Sequence, residues 1–182
     1  MSTQEPQSQE EIFASYVQGP ERLQAAIGDL SIAQLDLMTP GGGRTIRQIV
    51  HHIADADDLW KLAIKAAFGS PKHPITFQWY WDTEQADWAR EWNYAARPVG
   101  PSLALLHANR RHIAQLLHAV PDAWDRSVII QWPGRPEQRT TVRELIAIQG
   151  RHTLYHIDDI LDIRRAHGIE PTRLGAGQDA DT

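Results

Sequence analysis

The sequence has no cysteine. That excludes disulfides, thiolate metal ligands and a cysteine nucleophile. It also lacks any apolar run of about 18 residues, the length that a membrane-spanning helix needs. A basic excess is missing as well, with 18 Lys and Arg against 23 Asp and Glu and a net charge of −5. A nucleic-acid or anionic-membrane partner would call for a concentrated basic face. The first residues, MSTQEPQSQEE, are polar and acidic and show no charged-then-apolar leader. Pro40-Gly41-Gly42-Gly43 lacks the Lys-Ser/Thr ending of a phosphate loop and reads as a flexible lead-in. These absences lead to the expectation of a soluble, cytoplasmic protein that binds neither nucleic acid nor membrane.

What is present is a chain of 182 residues, 42% hydrophobic, enough for one domain with its own core. The expected domain is 12–168, flanked by disordered tails at 1–11 and 169–182 that are poor in core-forming residues. Ile12 to Ile27 reads as a helix that either starts at Pro20 or is interrupted there; a start is the simpler view, since proline suits a first turn. Ser31 caps a short helical turn to Leu35.

Thr45-x-x-Gln48 is a capping box, and Ile46, Ile49, Val50, Ile53, Trp60, Ile64 and Phe68 continue it with helical period. Gly69-Ser70-Pro71 ends that helix. A third helix runs from Ser102 to Ala119. A fourth opens on the box Thr141-x-x-Glu144 and ends at about His167, with Gly168 as its cap. Val128 to Ile130 suggests a short extended piece, followed by a turn at Pro133-Gly134-Arg135-Pro136. The fold class is therefore all-α: a four-helix bundle with a long aromatic-rich connection between the second and third long helices. That connection, Phe77 to Tyr94, holds four of the seven Trp and reads as a satellite hydrophobic cluster, a dimer contact or the wall of a pocket.

His152 and His156 lie one turn apart on the fourth helix, within an apolar stripe that includes Leu145, Ile146, Ile157 and Ile160. Imidazoles among apolar side chains are costly unless each finds a partner, and a shared metal ion is one solution. The two capped helices open alike, so their phases can be compared at about 100° per residue from each cap threonine. His152 and His156 then fall at about 20° and 60°, near the inward direction, while His52 falls at about −20° and His51 at about 240°. The wheel thus selects His52, His152 and His156 and turns His51 away from the core. Asp55 and Asp159, each three residues from a ligand, are candidates to orient it; Gln149 and Tyr155 are candidate pocket contacts. Other histidines (73, 107, 112, 118 and 167) read as structural. A carboxylate-bridged di-iron site is excluded, because no inward histidine has a Glu three residues before it.

Thr45-Ile-Arg-Gln-Ile-Val-His-His-Ile-Ala-Asp55, with Gly150-Arg-His-x-x-x-His-Ile157 far downstream, resembles the DinB/YfiT-like superfamily, in particular its YfiT branch. The similarity spans roughly residues 16 to 165. It implies a four-helix bundle, usually homodimeric, whose three histidines bind a divalent metal; by position these are again His52, His152 and His156. It also implies a metal-dependent hydrolase, or a transferase of bacillithiol, mycothiol or a similar thiol. Zinc is the first candidate for three imidazoles, with nickel or iron as alternatives. The chain departs from the family where histidines are usual, having Gln149 and Thr153 around the last motif and Asp57 after the first. Those losses keep a second function open, a non-catalytic metal-binding module for binding, sensing or stress response.

Overall fold

The computed structural model describes residues 7–69 and 73–170. Four long helices form the bundle: α1 (Gln9–Ile27), α2 (Ile46–Gly69), α5 (Val99–Ala119) and α6 (Val142–Ala166). Two short helices, α3 (Gln78–Trp81) and α4 (Gln85–Glu91), occupy the connection before α5. A hairpin of β1 (Ser127–Ile130) and β2 (Gln138–Thr141) precedes α6. Its antiparallel register pairs Ser127 with Thr141 and Ile130 with Gln138. Helix α1 packs on α5 and α6, and α2 packs on the same two, so α1 and α2 lie across the bundle from each other. This order makes α2 and α6 neighbours. Among the described residues no helix is long and apolar enough to cross a membrane.

Both capping boxes form. Thr45 and Gln48 exchange backbone-to-side-chain hydrogen bonds at 2.9 and 3.2 Å, and Thr141 and Glu144 do the same at 2.7 and 3.2 Å. A third box, Ser8 with Glu11, starts α1 at Gln9, inside the stretch expected to be a tail. The rest of the expected tails falls mostly on residues 1–6 and 171–182, which lie outside the described residues.

The expected break at Pro20 does not occur, and α1 runs straight through it. Pro20 has no N–H to offer the Tyr16 carbonyl four residues back, the bond a helix normally makes there. The guanidinium of Arg110 on α5 donates to that carbonyl instead, at 2.9 Å. Beside it, a Cβ on Gly19 would come within 3.2 Å of Thr153 Cγ2, so a glycine lets α1 and α6 approach here.

Core side chains divide into two clusters. One gathers Tyr16, Ile64, Ile113, Val128, Ile130 and Leu145, with Trp60, Trp81, Trp88, Trp92 and Trp132 packed against it. The other gathers Leu23, Ile46, Ile53, Leu106, Ile160 and Ile163 toward the opposite end. The aromatic connection is thus part of the hydrophobic packing: Trp81 stacks on Trp132 at 5.4 Å and Tyr80 on Trp88 at 5.6 Å.

Candidate metal centre

His52 comes from α2, about two turns past its Thr45 cap, and His152 and His156 come from successive turns of α6. Their imidazoles meet between the two helices, with ring centroids 5.1 Å apart for 52 and 152, 4.9 Å for 52 and 156, and 4.6 Å for 152 and 156. One ring nitrogen from each lies within 4.8 Å of the others, and no other such group of His, Asp and Glu occurs among the described residues. His52 and His156 are buried and His152 nearly so.

Nε2 of His52 and Nε2 of His152 face each other at 3.2 Å. Two nitrogens on a tetrahedral zinc ion at ordinary bond lengths stand about 3.3 Å apart, so this pair already has the spacing of one coordination edge. On His156, Nδ1 donates to the Asp159 carboxylate at 2.8 Å, which leaves the Nε2 lone pair free. Burial pushes His52 down to about 2, with His152, Arg44 and His156 adding to it. Burial and His156 push His152 down to about 3. His156 is also lowered by burial, against the opposing pull of Asp159. All three rings are therefore neutral at neutral pH, the form that binds a metal.

The remaining candidates separate. Asp159 reaches a histidine of the cluster, but Asp55 does not: its carboxylate lies 3.7 Å from Arg97, on the side of α2 that faces α5. Tyr155 touches the His156 ring edge at 5.1 Å and is 64% exposed. Gln149 is buried, and its Oε1 has no hydrogen-bond partner. His152 Nδ1 is likewise buried without a partner among the described residues.

His51 does not point outward. It is fully buried: Nε2–H donates to the Arg97 carbonyl at 3.2 Å, and Nδ1 accepts from the Ser102 hydroxyl at 2.8 Å. Helix α2 has two packed neighbours, so its buried face is wider than one stripe; His52 looks to α6 and His51 to α5. Of the other histidines, 107 approaches Gln24 at 3.2 Å, 118 meets the Phe13 ring at 5.3 Å, and 167 bonds the Met38 carbonyl at 2.8 Å.

The functional residue that the sequence pattern does not single out is Arg110. Arg111 is exposed, whereas Arg110 is 1% exposed and bonds Asp57 at 2.6 Å. It also donates to Thr153 Oγ1 at 2.9 Å and to the Gln149 carbonyl at 3.2 Å, and it lies 4.0 Å over the Tyr16 ring. Two of the three departures from the family's histidine pattern, at 57 and 153, thus meet one buried guanidinium through their side chains, while the third, at 149, meets it only through its backbone carbonyl. No spacing rule points from Arg110 to those positions; the signal lay in the three substitutions occurring together.

A model of the DinB superfamily matches residues 15–160. A Geobacillus thermodenitrificans protein named "Putative metal-dependent hydrolase" is 30% identical over 149 residues, 82% of this chain and 80% of the relative. A Bacillus mycoides protein of the same description is 31% identical over 156 residues, 83% and 86% of the two chains. Among solved structures, Bacillus subtilis YfiT, described as "a probable metal-dependent hydrolase with an unusual four-helix bundle topology", superposes with a TM-score of 0.76. That match covers 93% of this chain and 95% of YfiT at 22% identity, and it speaks for the fold. By the extent of the family match and the identity to these relatives, the chain belongs to the DinB superfamily.

Proposed function

We propose that the protein is a metal-dependent enzyme in which His52, His152 and His156 hold a divalent ion. In this reading it activates water or a low-molecular-weight thiol for attack on a small electrophilic substrate. The observation that carries the proposal is the meeting of three neutral imidazoles from two helices, two of them already at the spacing of a coordination edge. The names of the relatives support the hydrolase side of it. Zinc is the first candidate, then nickel or iron. Bound to three imidazoles, such an ion lowers the pKa of a water to about 7 or takes up a thiol as thiolate.

The protein's own groups prepare that site. Asp159 accepts the Nδ1 proton of His156 and so presents the other nitrogen inward. Burial keeps the rings uncharged, and the Arg110 network anchors the stretch of α6 that carries His152. The family's homodimer and small-molecule substrate belong to the same proposal, the dimer being checked by light scattering.

A second reading, a metal-holding module without turnover, is favoured by one observation. Asp57, Thr153 and the Gln149 carbonyl surround a buried guanidinium, where a chain of histidines would have offered a proton relay. Metal analysis of the purified protein tests the site: His52→Ala, His152→Ala and His156→Ala should each lose the metal, and unchanged content in all three would refute it. Hydrolysis of a model ester and thiol conjugation to a model electrophile, each with and without chelator, separate the two readings. Chelator-sensitive turnover in either assay supports the enzyme, and none in both supports the module.

A further inference from the structure

Arg44 stands two residues before α2, at the end of the glycine lead-in. Gly42 and Gly43 take φ of +89° and +115°, backbone that favours glycine. The loop is closed by Gly42 N–H to the Thr39 carbonyl at 2.9 Å and Ile46 N–H to the Leu37 carbonyl at 3.0 Å. It delivers Arg44 to the wall of a cavity of about 220 Å³ that Asp159, Asp162 and Ile163 of α6 line from the other side. The same Asp159 holds His156, so the cavity adjoins the histidine cluster.

The charges there are unevenly committed. Arg47 is paired with Asp36, Arg97 with Asp55 and Arg110 with Asp57. Asp159 is taken by His156, and Asp162 by Arg165. Arg44, half-buried, has no hydrogen bond or ion pair with any described residue. Its charge nonetheless acts on all three histidines, lowering each of them. A guanidinium held beside a site for a divalent cation, with every nearby carboxylate otherwise engaged, lacks an anion.

We propose that Arg44 recognises an anionic group, a carboxylate or phosphate, on the ligand whose reacting end reaches the histidine centre. This rests on the metal-site reading above. The planar guanidinium takes such a group through two parallel N–H donors. The cavity has room for that arm of a molecule, water's share of volume being about 30 Å³, and is smaller than a pocket for a whole drug-sized ligand, about 300 Å³ or more. Asp159 and Asp162 on the opposite wall repel the anion and leave it one place to settle. Ligand selection thus falls to the lead-in, which the sequence alone marked only as flexible.

The test uses cobalt-loaded protein and two thiols of matched length, 3-mercaptopropionate and its neutral amide, read by the thiolate-to-cobalt charge-transfer band. Wild type should favour the charged thiol by about tenfold or more, on the scale of a charge-assisted pair. Arg44→Ala should bring the two to near parity without changing affinity for the amide or the bound cobalt, and Arg44→Lys should fall between. A matched pair of esters, 4-nitrophenyl hemisuccinate and 4-nitrophenyl butyrate, asks the same of the electrophile and tells which reactant carries the anion. Inorganic phosphate added to metal-free protein, followed by the Arg44 side-chain N–H resonance in NMR, gives a readout independent of metal. Failure to bind cobalt would sink the metal reading, and the phosphate titration would then decide Arg44 by itself. Equal preferences in wild type and Arg44→Ala for both pairs, or an unmoved Arg44 resonance in metal-free protein, would overturn the proposal.

Discussion

Replacing Arg110 by Met keeps most of the side chain's apolar stem but removes its charge from the centre of the bundle. Asp57, 2% exposed, would lose its partner at 2.6 Å, and the Tyr16 carbonyl would lose a donor that Pro20 cannot replace. Removing one member of a buried ion pair costs about 3–5 kcal/mol, much of it for the charge left behind. Adding Asp57→Leu removes that stranded charge and should recover all but about 1–3 kcal/mol, the residue of an unsatisfied buried carbonyl. Pro20→Ala then supplies the missing N–H. In wild type the same substitution adds a second donor to a carbonyl already served, so it should stabilise the Asp57→Leu/Arg110→Met background more, by at least about 1 kcal/mol. Urea unfolding followed by circular dichroism measures all of these as midpoint shifts at constant m. The reasoning fails if Arg110→Met lies within about 1 kcal/mol of wild type, or if Pro20→Ala has the same effect in both backgrounds.

Other expectations follow from single contacts. Asp159→Asn should weaken metal binding about 10- to 100-fold, the usual cost of losing the group that orients a histidine ligand, as read by competition with a chromophoric chelator. Ser102→Ala leaves Nδ1 of the buried His51 without its donor and should cost about 1–3 kcal/mol in urea unfolding while metal content stays the same. Metal-free protein should lose stability on acidification. His52 and His152 are pushed down to about 2 and 3, so below their ordinary value of about 6.5 the unfolded chain binds protons that the folded one refuses. Stability therefore rises with pH between about 3 and 6.5, and at pH 5 each ring should cost up to about 2 kcal/mol, measured as thermal midpoints against pH. Bound metal should move that acid transition lower, because protons then compete with the ion.

How much of this was legible in the sequence depended on whether the deciding interaction was local. Thr45 with Gln48 and Thr141 with Glu144 are three residues apart, so both helix starts could be read directly. Ser8 with Glu11 has the same spacing but was obscured by the polar composition around it. The strand Gln138–Thr141 is polar and mostly exposed, and it pairs only because Ser127–Ile130 lies opposite, so it carried no alternation to detect. At Pro20 the local rule was sound but incomplete: the compensating donor, Arg110, is ninety residues away in sequence, and nothing near Pro20 announces it.

The two adjacent histidines show where a helical wheel stops being informative. Successive residues differ by about 100°, so His51 and His52 cannot both lie in one stripe, and a single-stripe reading must send one of them outward. Helix α2 instead touches α5 on one flank and α6 on the other, and each histidine lies on a different flank. The wheel set the angle between them correctly; only the bundle's cyclic order, which puts α2 between α5 and α6, decides that both directions are interior. That order also explains the sorting of their chemistry. Toward α5, His51 meets a serine hydroxyl and a carbonyl that satisfy both its nitrogens and leave it no free lone pair. Toward α6, His52 meets two other imidazoles; one N–H can bridge the 3.2 Å between His52 and His152, whereas a shared cation would take one lone pair from each of the three rings.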